Sequence, residues 1–378
     1  MIERVVFSVD NLGNLGGVQT AVDELASELS ARGFEVSYMT LSPQVAVPRV
    51  PGSVFEVDLH KSWTSLHPQA AAFPGPLGAR LALKTLLSRP WRLWRDARLR
   101  RYVHSLGPGT AIVFAQMPTL GLLVDAGYEK RAGDPLIIAQ VHTSPEGARL
   151  WGSEETIRRA APHLDALLAL DPDDAQEFAD LTGAPVGAIA NPSSVVRPGG
   201  LERSHPPELC YVGRLSDEKR VDLLIRGFDI ASCSHPGWRL VIHGDGVERE
   251  NLQRLASACD HADRIELRGR TSDVTGVLSG AQCNVLVSRF EGLPMSVIEA
   301  ARCGTPTAAI PVSAGLSSLL DRCGYRIEGA TEQAVAEALE RVMGDEAGRL
   351  AKQDAALRTG ADFAPAVIAD QWEQIFEH

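Results

Sequence analysis

The sequence lacks any uninterrupted apolar run of about 18 residues, the length that a membrane-spanning helix requires. Its opening, MIERVVFSVD, has neither the basic start nor the long apolar stretch of a secretion signal, and its pattern is that of a strand. The 378 residues are 44% hydrophobic and 22% charged, as in ordinary globular proteins. We therefore expect a cytoplasmic globular protein.

Cysteine pairs with the spacing of a metal site are also missing. All six cysteines lie in the C-terminal half, and none belongs to a CxxC pair or lies near a spaced histidine pair, so we expect buried free thiols. Lysine is scarce, with five residues, and arginine carries most of the basic charge. The net charge of -11 argues against a nucleic-acid partner, because nucleic acids bind basic surfaces.

Short β-branched runs alternate with amphipathic helical stretches along the chain, which is the pattern of parallel sheets covered by helices. The clearest predicted strands are residues 4–9, 35–41, 111–115, 136–140, 166–170, 209–212, 239–243, 264–267, 283–287 and 307–310. The segment AIANPSSVVRPGG, residues 188–200, interrupts the alternation with turn-forming residues.

These patterns predict an α/β protein with two doubly wound domains, residues 1–190 and 191–362. The final amphipathic segment, residues 363–378, is expected to form a helix that crosses back to the first domain, with Phe363, Val367, Ile368, Trp372 and Phe376 on one side. In open α/β sheets ligands bind beyond the carboxyl ends of the strands. We therefore expect a binding cleft between the two domains.

Four loops follow predicted strands and carry candidate binding residues. In DNLGNLGGVQTAV, Gly16 and Gly17 precede a helix expected from about Val18, where backbone N–H groups can bind an anion. The spacing is not that of a dinucleotide-binding GxGxxG loop, and a plain turn into a helix is the alternative. In CYVGRLSDEKRV, Arg214 and Lys219 would bring two cations beside a helix N-terminus, as a diphosphate requires; two solvated surface cations are the alternative.

The loop HGDGVEREN contains Gly244, which either narrows the cleft wall or only turns the chain. In SRFEGLPMSVIEAARCGTP, Glu291 precedes a Gly-Leu-Pro corner and Glu299 lies one turn inside the helix expected from about Met295. Carboxylates accept hydrogen bonds from neighbouring hydroxyl groups, and free N–H groups at the corner bind phosphate or sugar oxygens. The alternative is a helix-capping Glu291 and a solvated Glu299.

The acidic segment LALDPDDAQEF contains Asp171 and Asp173 directly after a strand, in a spacing that also occurs in metal-binding DxD sites. We expect a turn into a helix from about Asp174 instead, because acidic residues are favourable at helix N-termini.

The motifs VGRLSDEKRVDLLI, HGDG and SRFEGLPMSVIEAARCGTP, at their mutual separations, resemble the C-terminal domain of family 4 retaining glycosyltransferases with the GT-B fold. The EX7E pair of that family corresponds to Glu291 and Glu299. The GGVQ loop and the histidine of AQVHTSPEG match the N-terminal domain of the family.

The resemblance implies a donor site for a nucleotide-diphosphate sugar, with UDP favoured and no metal or other cofactor. Glu299 would bind the ribose and Glu291 the donor sugar, while Arg214 and Lys219 would hold the diphosphate. His142 would lie near the reacting sugar, although an ordinary strand-end histidine is the alternative. The remaining implied donor contacts are Gly16, Gly17, Gly244, Arg270, Thr271, Gly292, Leu293, Pro294 and Met295.

The expected function is retaining transfer of a hexose or N-acetylhexosamine to a hydroxyl group of a cell-envelope glycan, a polyol-phosphate polymer, a lipid or a natural product. A catalytically inactive binding subunit and a sugar-nucleotide epimerase of the same fold are the alternatives.

Residues 80–101, RLALKTLLSRPWRLWRDARLRR, carry eight basic residues and one acidic residue, interleaved with apolar ones. Such a segment docks on an anionic membrane or acceptor, or packs its apolar residues into the N-terminal domain. The first possibility would make the protein peripheral on the inner face of the membrane.

Overall fold

The computed structural model describes residues 1–10, 12, 16–41, 48–57, 89–199 and 203–377. Its strands form two sheets, and every strand pair in both is parallel. This confirms the predicted α/β class with two doubly wound sheets.

The first sheet has seven strands in the order β3-β2-β1-β4-β5-β6-β7. These are β1 (Arg4–Val9), β2 (Glu35–Thr40), β3 (Val54–Glu56), β4 (Thr110–Phe114), β5 (Leu136–Gln140), β6 (Ala166–Ala169) and β7 (Val186–Ala188). The second sheet has six strands in the order β10-β9-β8-β11-β12-β13. These are β8 (Glu208–Val212), β9 (Arg239–His243), β10 (Ile265–Gly269), β11 (Cys283–Leu286), β12 (Thr307–Ala309) and β13 (Tyr325–Arg326).

Helices cover both sheets, as the crossovers between parallel strands require. Those in the first half are α1 (Gly17–Ala31), α2 (Arg89–Ser105), α3 (Met117–Asp125), α4 (Pro145–Leu150), α5 (Glu154–Ala160) and α6 (Pro172–Thr182). Those in the second half are α7 (Val221–Ala231), α8 (Arg249–Ser257), α9 (Val274–Gly280), α10 (Met295–Arg302), α11 (Ala314–Cys323), α12 (Glu332–Gly344), α13 (Glu346–Gly360) and α14 (Pro365–Glu377).

The central strands are buried on both faces, and successive residues alternate between two cores. Val5 and Phe7 of β1 pack with α1 and α14, whereas Val6 packs on the opposite side with Ile112 and Leu120. This alternation follows from the two-residue period of a strand. A separate core of mainly second-half residues surrounds the second sheet, and Ala21 of α1 joins it.

Helix α14 packs against the first half of the chain. Ile368, Trp372 and Phe376 are buried in the core that contains β1, and Arg32, directly after α1, donates to the carboxylate of Asp370 at 2.6 Å. Two residues that were predicted for the buried side of this helix lie elsewhere. Val367 is 40% exposed, and Phe363 packs into the core of the second sheet. The domain limits at residues 190, 191 and 362 stay predictions; the sheets themselves end at Ala188 and begin at Glu208.

The chain therefore passes twice between the two halves, and the two passages touch. The backbone N–H of Ser193 donates to the carbonyl of Phe363 at 2.9 Å. Arg302, the last residue of α10, donates to the carbonyl of Val195 on the first passage at 3.2 Å and to that of Gly360 at the start of the second at 3.4 Å.

Four cysteines are buried free thiols, as predicted: Cys210, Cys283, Cys303 and Cys323. Cys233 is exposed and Cys259 is partly exposed, because both lie at the surface ends of helices α7 and α8. No helix in the described part of the chain combines the length and apolar character that crossing a membrane requires.

Candidate active site

The Gly-Leu-Pro corner between β11 and α10 lies against the first half of the chain. A Cβ atom at Gly292 would come within 2.9 Å of the carbonyl oxygen of His142, so only glycine permits this approach. Leu293 is buried, and Pro294 is the extended residue that precedes α10. The helix begins at Met295 as predicted, with its N-terminus, and hence the positive end of its dipole, at the boundary between the two sheets.

Glu291 and Lys219 form the central ion pair of the site. The ammonium group of Lys219 contacts the Oε1 atom of Glu291, and the two side chains are 17% and 11% exposed. The hydroxyl of Ser288 donates to the same carboxylate oxygen at 2.6 Å. Sequence reasoning named the two charged residues but gave no role to Ser288, which fixes the carboxylate from the strand side.

Arg214 lies on the loop between β8 and the short 3-10 turn Asp217–Lys219. Its side chain is 68% exposed, and its guanidinium lies 3.6 Å from the carboxylate of Glu218. Its backbone is held more firmly, because the hydroxyl of Tyr211 donates to the Arg214 carbonyl at 2.8 Å. The loop is thus fixed while the guanidinium is open to solvent.

The loop at Gly244 packs directly on the Arg214 loop. A Cβ atom at Gly244 would lie 1.9 Å from the carbonyl oxygen of Gly213, and one at Gly246 would lie 2.2 Å from that of Leu215. The glycines therefore permit two backbones to lie side by side.

The segment after β10 adjoins the same loop. The guanidinium of Arg270 lies 3.6 Å from the carboxylate of Asp245, and its side chain is 69% exposed. The hydroxyl of Thr271 accepts the N–H of Asp273 at 3.0 Å. Arg270 thus lies beside the Gly244 loop, through its ion pair with Asp245, and Thr271 is the next residue.

The N-terminus of α1 faces the N-terminus of α10. Gly16 is its N-cap and has extended backbone angles, and the helix begins at Gly17, one residue before the prediction. A Cβ atom at Gly17 would lie 3.3 Å from the Cγ atom of Met295. Two helix N-termini therefore converge, which makes their gap favourable for an anion.

His142 follows β5, and its ring is not hydrogen-bonded to any residue that the structure describes. Both ring nitrogens are buried, and neither has a hydrogen-bond partner in the described part of the chain. Burial lowers the pKa of His142 to about 4, so the ring is neutral near pH 7. Since buried polar groups are normally hydrogen-bonded, this ring is a group that a ligand can satisfy.

Glu299 is buried and faces α1 rather than solvent. It is 8% exposed, and burial, with a smaller contribution from the Glu24 carboxylate, raises the pKa of Glu299 to about 7. Glu24 is itself buried and accepts the Ser194 hydroxyl at 2.7 Å. Sequence reasoning missed Glu24, although it interrupts the apolar face of α1 formed by Ala21 and Leu25.

The Asp-Pro-Asp segment forms a helix cap. The carboxylate of Asp171 accepts the N–H groups of Asp173 and Asp174 at 3.0 and 3.1 Å, and α6 begins at Pro172. Its second oxygen accepts the N–H of Gly315 in α11 at 3.0 Å, which links the two halves of the chain. Both carboxylate oxygens of Asp171 therefore bind backbone N–H groups, as in the turn-and-cap interpretation.

The structure brings most candidate residues to one boundary. Lys219 contacts Glu291, His142 contacts Gly292, and Gly17 contacts Met295. Arg214, Gly244 and Arg270 form the adjoining loops. The resulting site combines cations, helix N-termini, carboxylates and a neutral histidine, which is a set of groups suited to a ligand with both phosphates and hydroxyls.

Two family models together match most of the chain. The model described as Glycosyltransferase Family 4 matches residues 15–192, and the model described as Glycosyl transferases group 1 matches residues 196–359. Their junction falls within the interruption at residues 188–200.

Curated relatives are similar over parts of the chain or over nearly all of it. An exopolysaccharide phosphotransferase of Streptomyces coelicolor is 30% identical over 60% of this chain and 24% of its own length. The alpha-D-kanosaminyltransferase of Streptomyces kanamyceticus is 24% identical over 94% of this chain and 98% of its own. The match covers 24% of the first of these relatives and 54% of an uncharacterized glycosyltransferase of Haemophilus influenzae. The chain thus spans about half or less of the length of these two relatives.

The fold matches that of solved GT-B proteins. The TarM protein of S. aureus, crystallised with Fondaparinux, alpha-GlcNAc-glycerol and UDP, superposes with a TM-score of 0.78 over 100% of both chains at 12% identity. At this identity the likeness concerns the fold, and it confirms the predicted arrangement of two Rossmann-like halves.

Proposed function

Because the chain belongs to the family 4 glycosyltransferases, we propose that it transfers a hexose or N-acetylhexosamine from a nucleotide-diphosphate sugar to an acceptor hydroxyl group. The observation that carries this proposal is the Lys219–Glu291 contact beside the corner where Gly292 meets His142. A cation, a carboxylate, a helix N-terminus and an unpartnered histidine within one boundary suit a diphosphate joined to a sugar.

UDP is the nucleotide that we favour. Among proteins of the same fold, TarM was crystallised with UDP and HepE of Anabaena with UDP and glucose. In this chain the base would meet the segment at Arg270 and Thr271, and the ribose hydroxyls would bind Glu299. The burial of Glu299 supports this role, because a buried carboxylate gains most from hydroxyl donors that replace lost water.

The diphosphate would lie between the converging N-termini of α1 and α10, with Gly16 and Gly17 on one side. Lys219 would contact the diphosphate while Glu291 accepts a hydroxyl of the donor sugar. The exposed guanidinium of Arg214 would close over the phosphates, since among the described residues its charge is paired only loosely, with Glu218. Cations at this position stabilise the charge that develops on the leaving group.

We propose a front-face reaction that retains the anomeric configuration. The bond between the anomeric carbon and the phosphate oxygen breaks, the acceptor oxygen bonds to the same face, and its proton moves to the departing phosphate. The neutral ring of His142 would donate one hydrogen bond to the donor sugar. Glu291 is not a nucleophile in this scheme, and the cationic side chains would serve where other transferases use a metal ion.

The acceptor would be a carbohydrate, lipid or small natural product, as in a cell-envelope glycan or polyol-phosphate polymer.

We further propose that the exposed side of α2 contacts an anionic lipid surface. Leu93 and Trp94 are 63% and 49% exposed, whereas Leu99 and Val103 are buried in the first-half core. The helix thus packs one side into the first-half core and exposes Leu93 and Trp94 on the other. Residues 80–88 of the basic segment lie outside the described residues.

A panel of nucleotide sugars tests the function by thermal shift and donor hydrolysis, with and without EDTA. We expect stabilisation by UDP and by one UDP-sugar, and unchanged hydrolysis in EDTA. The Lys219→Met variant should bind UDP about 10- to 100-fold more weakly, because it loses a charge-assisted contact. Lys130→Met is the matched control, since Lys130 forms an ion pair with Asp165 away from the site.

Absence of stabilisation by every nucleotide diphosphate would refute the transferase proposal. Loss of hydrolysis in EDTA, restored by a divalent cation, would refute metal independence alone.

A further inference from the structure

Trp151 and Phe290 form an aromatic pair across the boundary between the two halves of the chain. Their ring centroids are 5.7 Å apart and their planes are nearly perpendicular, at 86°. Trp151 is nevertheless 65% exposed, and Leu150 beside it is 64% exposed. Most of the indole surface is therefore open, which is unusual for so large an aromatic side chain.

The backbone at Trp151 is fixed by the end of helix α4. Gly152 adopts a φ of 71°, and the N–H of Ser153 returns to the carbonyl of Ala148 at 2.9 Å. The N–H of Trp151 itself bonds the carbonyl of Gly147 at 2.9 Å. This tight helix end fixes the backbone from which the indole extends.

Phe290 is fixed in a similar way on the opposite side. The N–H of its neighbour Arg289 donates to the carbonyl of Glu218 at 2.8 Å, and the Arg289 guanidinium pairs with Asp217 at 2.9 Å. Its other neighbour, Glu291, is held by Lys219 and Ser288. The aromatic pair is thus preorganised on both sides.

The pair also adjoins the proposed reaction centre. Phe290 directly precedes Glu291, and Trp151 lies nine residues after His142, at the far end of the short helix α4 that follows it. His142 and Glu291 are linked in turn through the contact of the His142 carbonyl with Gly292. The aromatic pair is therefore one residue along the chain from Glu291 on one side and one short helix away from His142 on the other.

We propose that Trp151 and Phe290 form an acceptor subsite that binds one pyranose ring of a carbohydrate acceptor. A pyranose has an apolar face of C–H groups and a rim of hydroxyl groups, so it packs on an aromatic ring while its rim stays hydrated. The donor contacts named above come mainly from the second half, whereas Trp151 extends from the first. This inference rests on the proposed function, since it assigns the second substrate of the same site.

Direct binding to the full-length protein tests the subsite without requiring turnover. The probes are the methyl glycosides of glucose, mannose and N-acetylglucosamine, measured by saturation-transfer NMR with and without saturating UDP. We expect Trp151→Ala to weaken binding of the preferred glycoside about tenfold. Trp151→Phe should retain most of the affinity because it keeps an aromatic face, and Phe290→Leu should show an intermediate loss.

The control is Leu350→Ala, which removes an exposed apolar side chain from α13. It should bind glycosides and UDP as the wild type does. UDP affinity is measured on every variant, because failure of the wild type to bind UDP would count against the proposed function and not against the subsite.

Three results would overturn the inference. The first is wild-type glycoside affinity in Trp151→Ala. The second is a loss of UDP affinity as large as the loss of glycoside affinity in Trp151→Ala and Phe290→Leu, which would make the pair a contact that closes the cleft. The third is no binding of any of the three glycosides by the wild type.

Discussion

Substituting Gly244 by alanine tests whether two backbone loops support the donor site. The new Cβ atom would lie 1.9 Å from the carbonyl oxygen of Gly213, and real Cβ atoms keep at least 3.0 Å from such atoms. One of the loops must therefore move by about 1 Å. The Arg214 loop is the one displaced if Gly244 stays bonded to the carbonyl of Gly269, which it meets at 2.9 Å.

We expect Gly244→Ala to lower both the stability of the fold and the activity toward the donor, and each loss is measured separately. Overpacking of this kind costs about 1 to 3 kcal/mol of unfolding free energy, measured by urea denaturation. A displacement of about 1 Å in a positioning loop lowers kcat/KM for the donor by about 100-fold, measured by hydrolysis of the best UDP-sugar. UDP affinity, measured by calorimetry, should fall with it.

Gly237→Ala is the matched control, because no atom lies within 4 Å of its added Cβ. It should change the unfolding free energy by less than about 1 kcal/mol and leave kcat/KM unchanged. A folded Gly244→Ala protein with wild-type stability and wild-type UDP affinity would refute the reasoning, since it would mean that the two loops are not in contact.

Two further predictions concern Glu299 and helix α2. Because burial raises the pKa of Glu299 to about 7 from its usual 4.5, the folded state favours the protonated form; this stability is present below about pH 4.5 and is lost as the pH rises through about 7. Between about pH 4.5 and 7, the unfolding free energy of the wild type, measured by urea denaturation, should fall by up to about 3 kcal/mol relative to that of Glu299→Gln. The same pH dependence of the unfolding free energy in both proteins would contradict the burial argument. For α2, Leu93→Ser should reduce binding to phosphatidylglycerol vesicles about tenfold, while Leu350→Ser, also at an exposed leucine, should not. Equal binding by both variants in a vesicle-sedimentation assay would contradict the lipid contact.

The strands that the sequence predicts are all the inner ones and one edge strand, β10, which has five residues. Runs such as Arg4–Val9 and Arg239–His243 agree with the structure in full, because strands buried on both faces need continuous apolar and β-branched residues. The strands β3, β7 and β13 were not predicted. Each lies at an edge of its sheet and has only two or three residues, too few to give a pattern.

The site was predictable where a motif carries the chemistry. Lys219 and Glu291 are 72 residues apart in sequence, yet both follow strands of the same parallel sheet, and the carboxyl ends of such strands meet at one edge. Glu24 and Trp151 were not predicted, because their importance depends on which surface of the other half they face. Local sequence does not show which residues of the two halves meet.

Helix α10 has a different partner at each end. Its N-terminus carries the Gly-Leu-Pro corner, and its last residue, Arg302, bonds both passages of chain at the point where Ser193 meets Phe363. Since the two passages are joined there, α10, a helix of eight residues, connects the corner directly to the place where the chain crosses between its halves. We therefore expect that a displacement of the corner also changes the contacts of Arg302 with the two passages.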